Sequence, residues 1–140
     1  MILHCNYEEL TALEAGARTF LEQEEPTHGR VLAPSVARAH VEALVPLLEG
    51  DVSMSTLEEL RGVEAAVVAI VECLRAEMEV MVATTHAADE EAVAAYFDFA
   101  HGFTVASRLR DMAAEMEALI ELVTGAPPTP ITVRTFQFPD

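Results

Sequence analysis

The stretch DEEAVAAYFDFAHGFTVASRLRDMAAEMEALIELVTG, residues 89–125, decides the fold of this 140-residue chain. It holds no proline and reads as one long helix. Asp89 takes the N-cap position, Glu90 and Glu91 sit where the helix dipole favours acids, and Gly125 is placed to end it. Its apolar residues do not keep to one side. Val93, Tyr96, Phe99, Ala100 and Phe103 share one face, and Val105, Leu109, Met112, Met116, Leu119 and Val123 share another. At about 100° per residue the two faces lie roughly half a turn apart, with the changeover at Gly102. Two outcomes fit. The helix breaks or kinks at Gly102, or one half packs inside the subunit and the other against a partner. The second is favoured, because about 35 residues make a rod of about 50 Å, too long for one small domain to cover alone.

A second long helix precedes it. Ser55 with Glu58, or Thr56 with Glu59, forms a capping box, and the apolar stripe Leu60, Val63, Val67, Ile70, Leu74, Met78, Met81 carries on to about Thr84. The run Ala65 to Val71 is apolar nearly all round, so this helix is expected at the centre, covered on more than one side. The two long helices are expected to be antiparallel neighbours joined through Thr85–Ala88.

The first half of the chain supplies two shorter helices. Asn6 and Glu9 make a capping box for a helix to about Gln23, with Leu10, Leu13, Ala17, Phe20 and Leu21 on one face. Pro26 and Gly29 mark a loop. A helix from about Ser35 carries Val36, Val41, Leu44, Leu47 and Leu48 on its apolar side. Pro46 ends or kinks it, and Gly50 and Asp51 close it. Residues 1–5 and 131–138 have strand composition and are expected to pair with each other or with a partner's sheet. The expected fold is therefore mainly α. It is a helical bundle of about four helices, two of them long and antiparallel, with short β-strands at the N- and C-termini, in one domain spanning 1–140.

Composition excludes several functions. Hydrophobic residues make up 51% of the chain, 23 of them alanine, and 23% are charged, a globular balance. Against 24 acids stand eight basic residues, all arginine, for a formal net charge of -16. Without lysine there is no Schiff-base chemistry and no phosphate-loop lysine. With this charge there is no basic footprint for nucleic acid. The acids are spread evenly, 11 against 3 arginines over 1–60 and 13 against 5 over 61–140, so there is no acidic tail. The start MILHCNYEEL lacks a signal-peptide pattern, and no apolar run approaches the roughly 18 residues that cross a bilayer. The expected location is cytoplasmic. Cys5 and Cys73 lack metal-knuckle spacing; Cys73 falls in an apolar helical pattern and reads as a small hydrophobe.

Catalytic patterns are thin. Ser35, Ser53 and Ser55 read as caps and turns, no nucleophile elbow is present, and the six glycines are scattered. Of the His and acid spacings that build di-metal bundles, Glu25-Pro-Thr-His28 is broken by proline. Asp98-Phe-Ala-His101 reads as a solvated pair. No metal or cofactor is expected. His40 projects onto the apolar side of the second helix, and Glu14 and Glu64 lie at the edges of theirs. Together His40, Glu14 and Glu64 are the candidate ligand-binding set, or else a salt-bridged cluster that holds helix register.

The expected function is a non-catalytic, acidic helical interaction or assembly protein acting as a homodimer. Its interface would comprise Leu109, Met112, Met116, Leu119 and Val123, with a basic protein as a second candidate partner. The alternative is a small-molecule- or metal-binding bundle with a histidine/carboxylate site.

Overall fold

Nine consecutive residues, Ala66 to Leu74, are buried. A helix can hide every side only if other elements wrap it, and that is how the chain is arranged. The computed structural model describes residues 1–23, 34–84 and 89–125. In chain order these form β1 (Ile2–Leu3), α1 (Tyr7–Glu22), α2 (Pro34–Leu44), a single 3-10 turn (Val45–Leu47), β2 (Val52–Ser53), α3 (Leu57–Thr84) and α4 (Glu90–Thr124). The mainly helical architecture with two long neighbouring helices is as expected, and α1, α2 and α4 all pack on the central α3.

Local chemistry sets the boundaries. Asn6 Oδ1 accepts from the Glu9 amide at 2.7 Å, and Glu9 Oε1 accepts from the Asn6 amide at 2.9 Å. Both halves of the capping box are therefore made. At α3 the Thr56 hydroxyl accepts from the Glu59 amide, while the Glu59 carboxylate accepts from the Ser55 amide. Asp89 caps α4, and Gly125 ends it with φ +69, the left-handed conformation that glycine adopts without a Cβ clash. Pro46 stops α2, and the chain tightens into the 3-10 turn.

The long helices run antiparallel. Arg61 near the start of α3 pairs with Glu117 near the end of α4, while Leu74, further along α3, faces Gly102. α1 lies in the groove between them and packs on both. Its first turn is tied to α4 by Arg108, which donates to Glu9 Oε2 at 2.9 Å and to the His4 carbonyl at 2.7 Å.

Of the two outcomes the period of α4 left open, the break falls away: α4 is one helix from Glu90 to Thr124. Gly102 is buried because a Cβ there would come within 3.1 Å of Val71 Cγ2 and 3.2 Å of Leu74 Cδ1, so its role is close approach. The first strand also finds a different partner. β1 pairs antiparallel with β2, Ile2 opposite Ser53 and Leu3 opposite Val52, and the Met54 amide donates to the Met1 carbonyl at 2.8 Å. The strand expected at 131–138 lies outside the described residues. Among those residues no helix is long and apolar enough to cross a membrane.

Gly16 makes the tightest helix contact: a Cβ would sit 2.6 Å from Ile70 Cγ2 and 2.9 Å from Leu74 Cγ. Neither atom is the free end of a flexible chain. Gly16→Ala gains about 1 kcal/mol of helix propensity but overpacks the core by about 1–3 kcal/mol. Urea unfolding should show a net loss of about 1 kcal/mol or more for Gly16→Ala, and a smaller change for Gly102→Ala. A stabilised Gly16→Ala would mean that α1 does not seat this deeply.

Candidate functional site

The three residues expected to make a ligand site are not brought together. His40 on α2 lies half-buried against α3, with its ring over Gly62; a Cβ there would stand 3.4 Å from His40 Nδ1. Glu64 is two residues further along α3, about 200° around the helix, and so points away from His40. Glu14 on α1 is exposed and pairs with Arg18 one turn on. Helical projection put Glu14 and Glu64 at the edges of their stripes, but Glu14 is exposed and Glu64 is buried, and it could not say which side of α3 each neighbour would take.

His40 does line an open cleft of about 340 Å³ between α2, the β2 segment and the start of α3. Leu44, Leu47, Met54 and Val63 give it an apolar wall, and Ser53 and Glu59 give it a polar edge. The Glu59 carboxylate is already engaged in capping α3. Among the described residues no group of His, Cys, Asp and Glu has the arrangement to hold a metal ion. His28 lies outside those residues. Asp98 and His101 are both half-buried on α4, so they are less solvated than their spacing implied.

The cysteines are poor nucleophiles. Burial pushes the Cys5 thiol up to about 11, with Glu9 adding to the rise and Arg108 opposing it. Burial likewise pushes Cys73 up to about 11, with Glu77 adding to it, and the Cys73 sulfur accepts a long hydrogen bond from Gln23. Both stay protonated thiols at neutral pH.

Two buried carboxyls have opposite fates. Burial acts to raise Glu9, but the Arg108 hydrogen bond and the Asn6 amide outweigh it and hold the carboxyl below its ordinary value. Glu64 is 1% exposed, and neither of its carboxyl oxygens has a hydrogen-bond partner among the described residues. Burial pushes it up to about 7, with Arg61 and Arg110 only partly offsetting the rise. The Glu9–Arg108 pair joins residues 99 apart in the chain, which no local pattern could signal.

The most distinctive surface is apolar, and it lies on α4. The middle of the helix is covered: Gly102, Val105, Ala106, Leu109 and Ala113 are buried. Of the five expected interface residues, Leu109 is wholly buried within the subunit, and Met112 and Met116 pack partly buried against its core. Leu119 and Val123 are exposed, at 56% and 83%, and Leu122 beside them at 82%. The first half of α4 turns its aromatic face outward, with Tyr96 54% and Phe97 53% exposed. The change of face at Gly102 thus does leave apolar residues uncovered, but at both ends of the helix. Packing takes up the early part of the second stripe, because α1 and α3 meet α4 there.

The Glu64 carboxyl makes stability depend on pH. Between about 4.5 and about 7 the folded chain holds this proton more tightly than the unfolded chain, so stability falls as pH rises through that window. Above it the loss levels off at about 3 kcal/mol, an order-of-magnitude figure. Glu64→Gln keeps the shape without the titration. Denaturant unfolding from pH 4 to pH 8 should show variant and parent alike at the acid end and the variant more stable at the alkaline end. A gap that does not change with pH would show that Glu64 titrates normally.

No protein-family model, curated protein or solved structure matches the chain.

Proposed function

We infer that the chain is a non-catalytic helical assembly protein that acts as a homodimer through the last turns of α4. One observation carries this reading. Val105, Leu109, Met112, Met116, Leu119 and Val123 recur at alternating spacings of four and three residues. That is the repeat of a helix seam that packs against other helices. Val105 and Leu109 close the subunit's own core, while Leu119 and Val123 continue the seam in the open. A seam that runs past its cover fits another helix, and an identical α4 related by a two-fold axis presents the matching stripe. Leu122 and Ile120, both exposed, widen the contact. The reading also accords with the protonated thiols and the dispersed His40, Glu14 and Glu64.

Because Leu119 and Val123 contribute little to the subunit core, Leu119→Glu with Val123→Glu tests the interface without unfolding the chain. Sedimentation at micromolar concentration should find a dimer for the parent and a monomer for the double variant, with helix content by circular dichroism unchanged. A parent chain that sediments as a monomer would overturn the homodimer.

A further inference from the structure

The open cleft between α2, the β2 segment and the start of α3 has a volume of about 340 Å³. That is the size of a small-molecule site, with room for a ring and a short chain. Its apolar side is fixed by the fold. Leu44 and Met54 belong to the core, while Leu47, on the 3-10 turn that follows α2, is 48% exposed and keeps an apolar surface open to solvent. The His40 ring rests against α3 at Gly62, where a Cβ would come 3.4 Å from Nδ1 and 3.5 Å from Cε1.

The polar groups of the cleft share one property. Glu59 lies one turn before Gly62 on the same side of α3, so Glu59 and His40 are neighbours along that helix. Glu59 Oε2 accepts from the Ser55 amide at 2.7 Å, which holds the carboxylate in place. Its Oε1 has no hydrogen-bond partner among the described residues, and neither has the His40 ring or the Ser53 hydroxyl. A carboxylate oxygen, a neutral imidazole nitrogen and a hydroxyl oxygen can all accept. Among the lining residues Glu59 supplies a negative charge, and no arginine stands against it.

We propose that this cleft binds a small amphipathic organic amine. Its apolar body would lie on Leu44, Leu47, Met54 and Val63, and its ammonium would donate to Glu59 Oε1, His40 and Ser53. A primary ammonium carries three donors for these three acceptors, and the ionised carboxylate strengthens the contact. An organic anion fits poorly, since it would meet Glu59 with no cation beside it, in a chain of net charge -16. A metal ion fits no better, because the described residues hold no cluster of His, Cys, Asp and Glu for one. No residue of α4 lines the cleft, so this site goes beyond the homodimer through Leu119 and Val123 and is tested independently of it.

The chain has no tryptophan, so the indole of tryptamine, excited beyond tyrosine absorption, reports on the ligand alone. Tryptophol and indole-3-propionate carry the same ring with a hydroxyl or a carboxylate in place of the ammonium. At neutral pH the fluorescence anisotropy of tryptamine should rise saturably as protein is added, reaching half its change at about 1 mM or below. Tryptophol should bind roughly tenfold more weakly, and indole-3-propionate not at all. Glu59→Gln keeps an acceptor for the Ser55 amide, and so keeps the start of α3, yet should weaken tryptamine about tenfold. His40→Phe should also weaken it, with helix content by circular dichroism unchanged. Glu115→Gln, which removes an exposed acid from α4, should leave binding as it is. No saturable rise, equal binding of the three indoles, or binding that Glu59→Gln and His40→Phe leave unchanged overturns the proposal. Equal weakening by Glu59→Gln and Glu115→Gln also overturns it, by showing attraction to the acidic surface at large. So does sedimentation in which saturating tryptamine dissociates the protein's own oligomer, which would put a second copy in the cleft.

Discussion

Three helices meet at Leu74 with no room for another methyl group. Gly16 of α1 comes against Ile70 and Leu74, and Gly102 of α4 comes against Val71 and Leu74. A glycine inside a helix costs about 1 kcal/mol relative to alanine, and the chain carries two at this one crossing. The cost is offset by depth. With no Cβ in the way, α1 sinks into the groove between the long helices, and Leu13, Phe20, Ile70 and Leu109 are all removed from water. The same contact fixes which side of α4 faces inward. Once Gly102, Leu109 and Ala113 are turned to the core, the half-turn shift in the apolar pattern sends Tyr96 and Phe103 outward. The uncovered surfaces at both ends of α4 thus follow from packing at its middle.

Arginine is scarce, eight residues against 24 acids, and its placement shows what the fold protects. Arg108 goes to Glu9, whose carboxylate also closes the α1 cap, so one guanidinium locks a helix start, the His4 carbonyl and α4 together. Glu64 is as deeply buried yet receives no such donor. Identical side chains at similar burial therefore titrate in opposite directions, because burial raises a carboxyl and only donors or cations bring it back. Glu9 favours the fold until pH falls through the carboxylate range, whereas Glu64 weakens it as pH climbs toward 7. These two carboxyls move stability in opposite directions with pH, and no composition count separates them.

What was legible in the sequence was local. The Asn6–Glu9 box, the Thr56–Glu59 start, the stop at Pro46 and the Gly125 cap depend on neighbours a few residues apart, and each stands where spacing put it. The all-round apolar run in α3 announced a central helix for the same reason. Contacts between helices were not legible. The period of α4 showed two faces but not which would turn inward, since that depends on where α1 docks. β2 is two residues long and owes its form to β1, so no alternation marked it. His40 is half-buried as its projection suggested, but Glu14, read as an edge residue, is exposed, and Glu64, read the same way, is wholly buried. A site also needs the azimuth of each helix against the next, and that is set by Gly62, Gly16 and Gly102 rather than by the polar residues themselves.

An unbroken α4 has a mechanical consequence. A helix clamped from Gly102 to Ala113 and continuous to both ends holds its terminal surfaces as one rigid body. Tyr96 and Val123 are 27 residues apart, about 40 Å along the axis, and they face roughly opposite sides. Occupants of the two surfaces would not collide, and neither would need the other to leave. A break at Gly102 would have let the two ends move independently. Glycine there preserves the rod while giving Val71 and Leu74 their space. The residue that looked like a break in the pattern is thus what allows one helix to seal a core at its centre and present two separate surfaces at its ends.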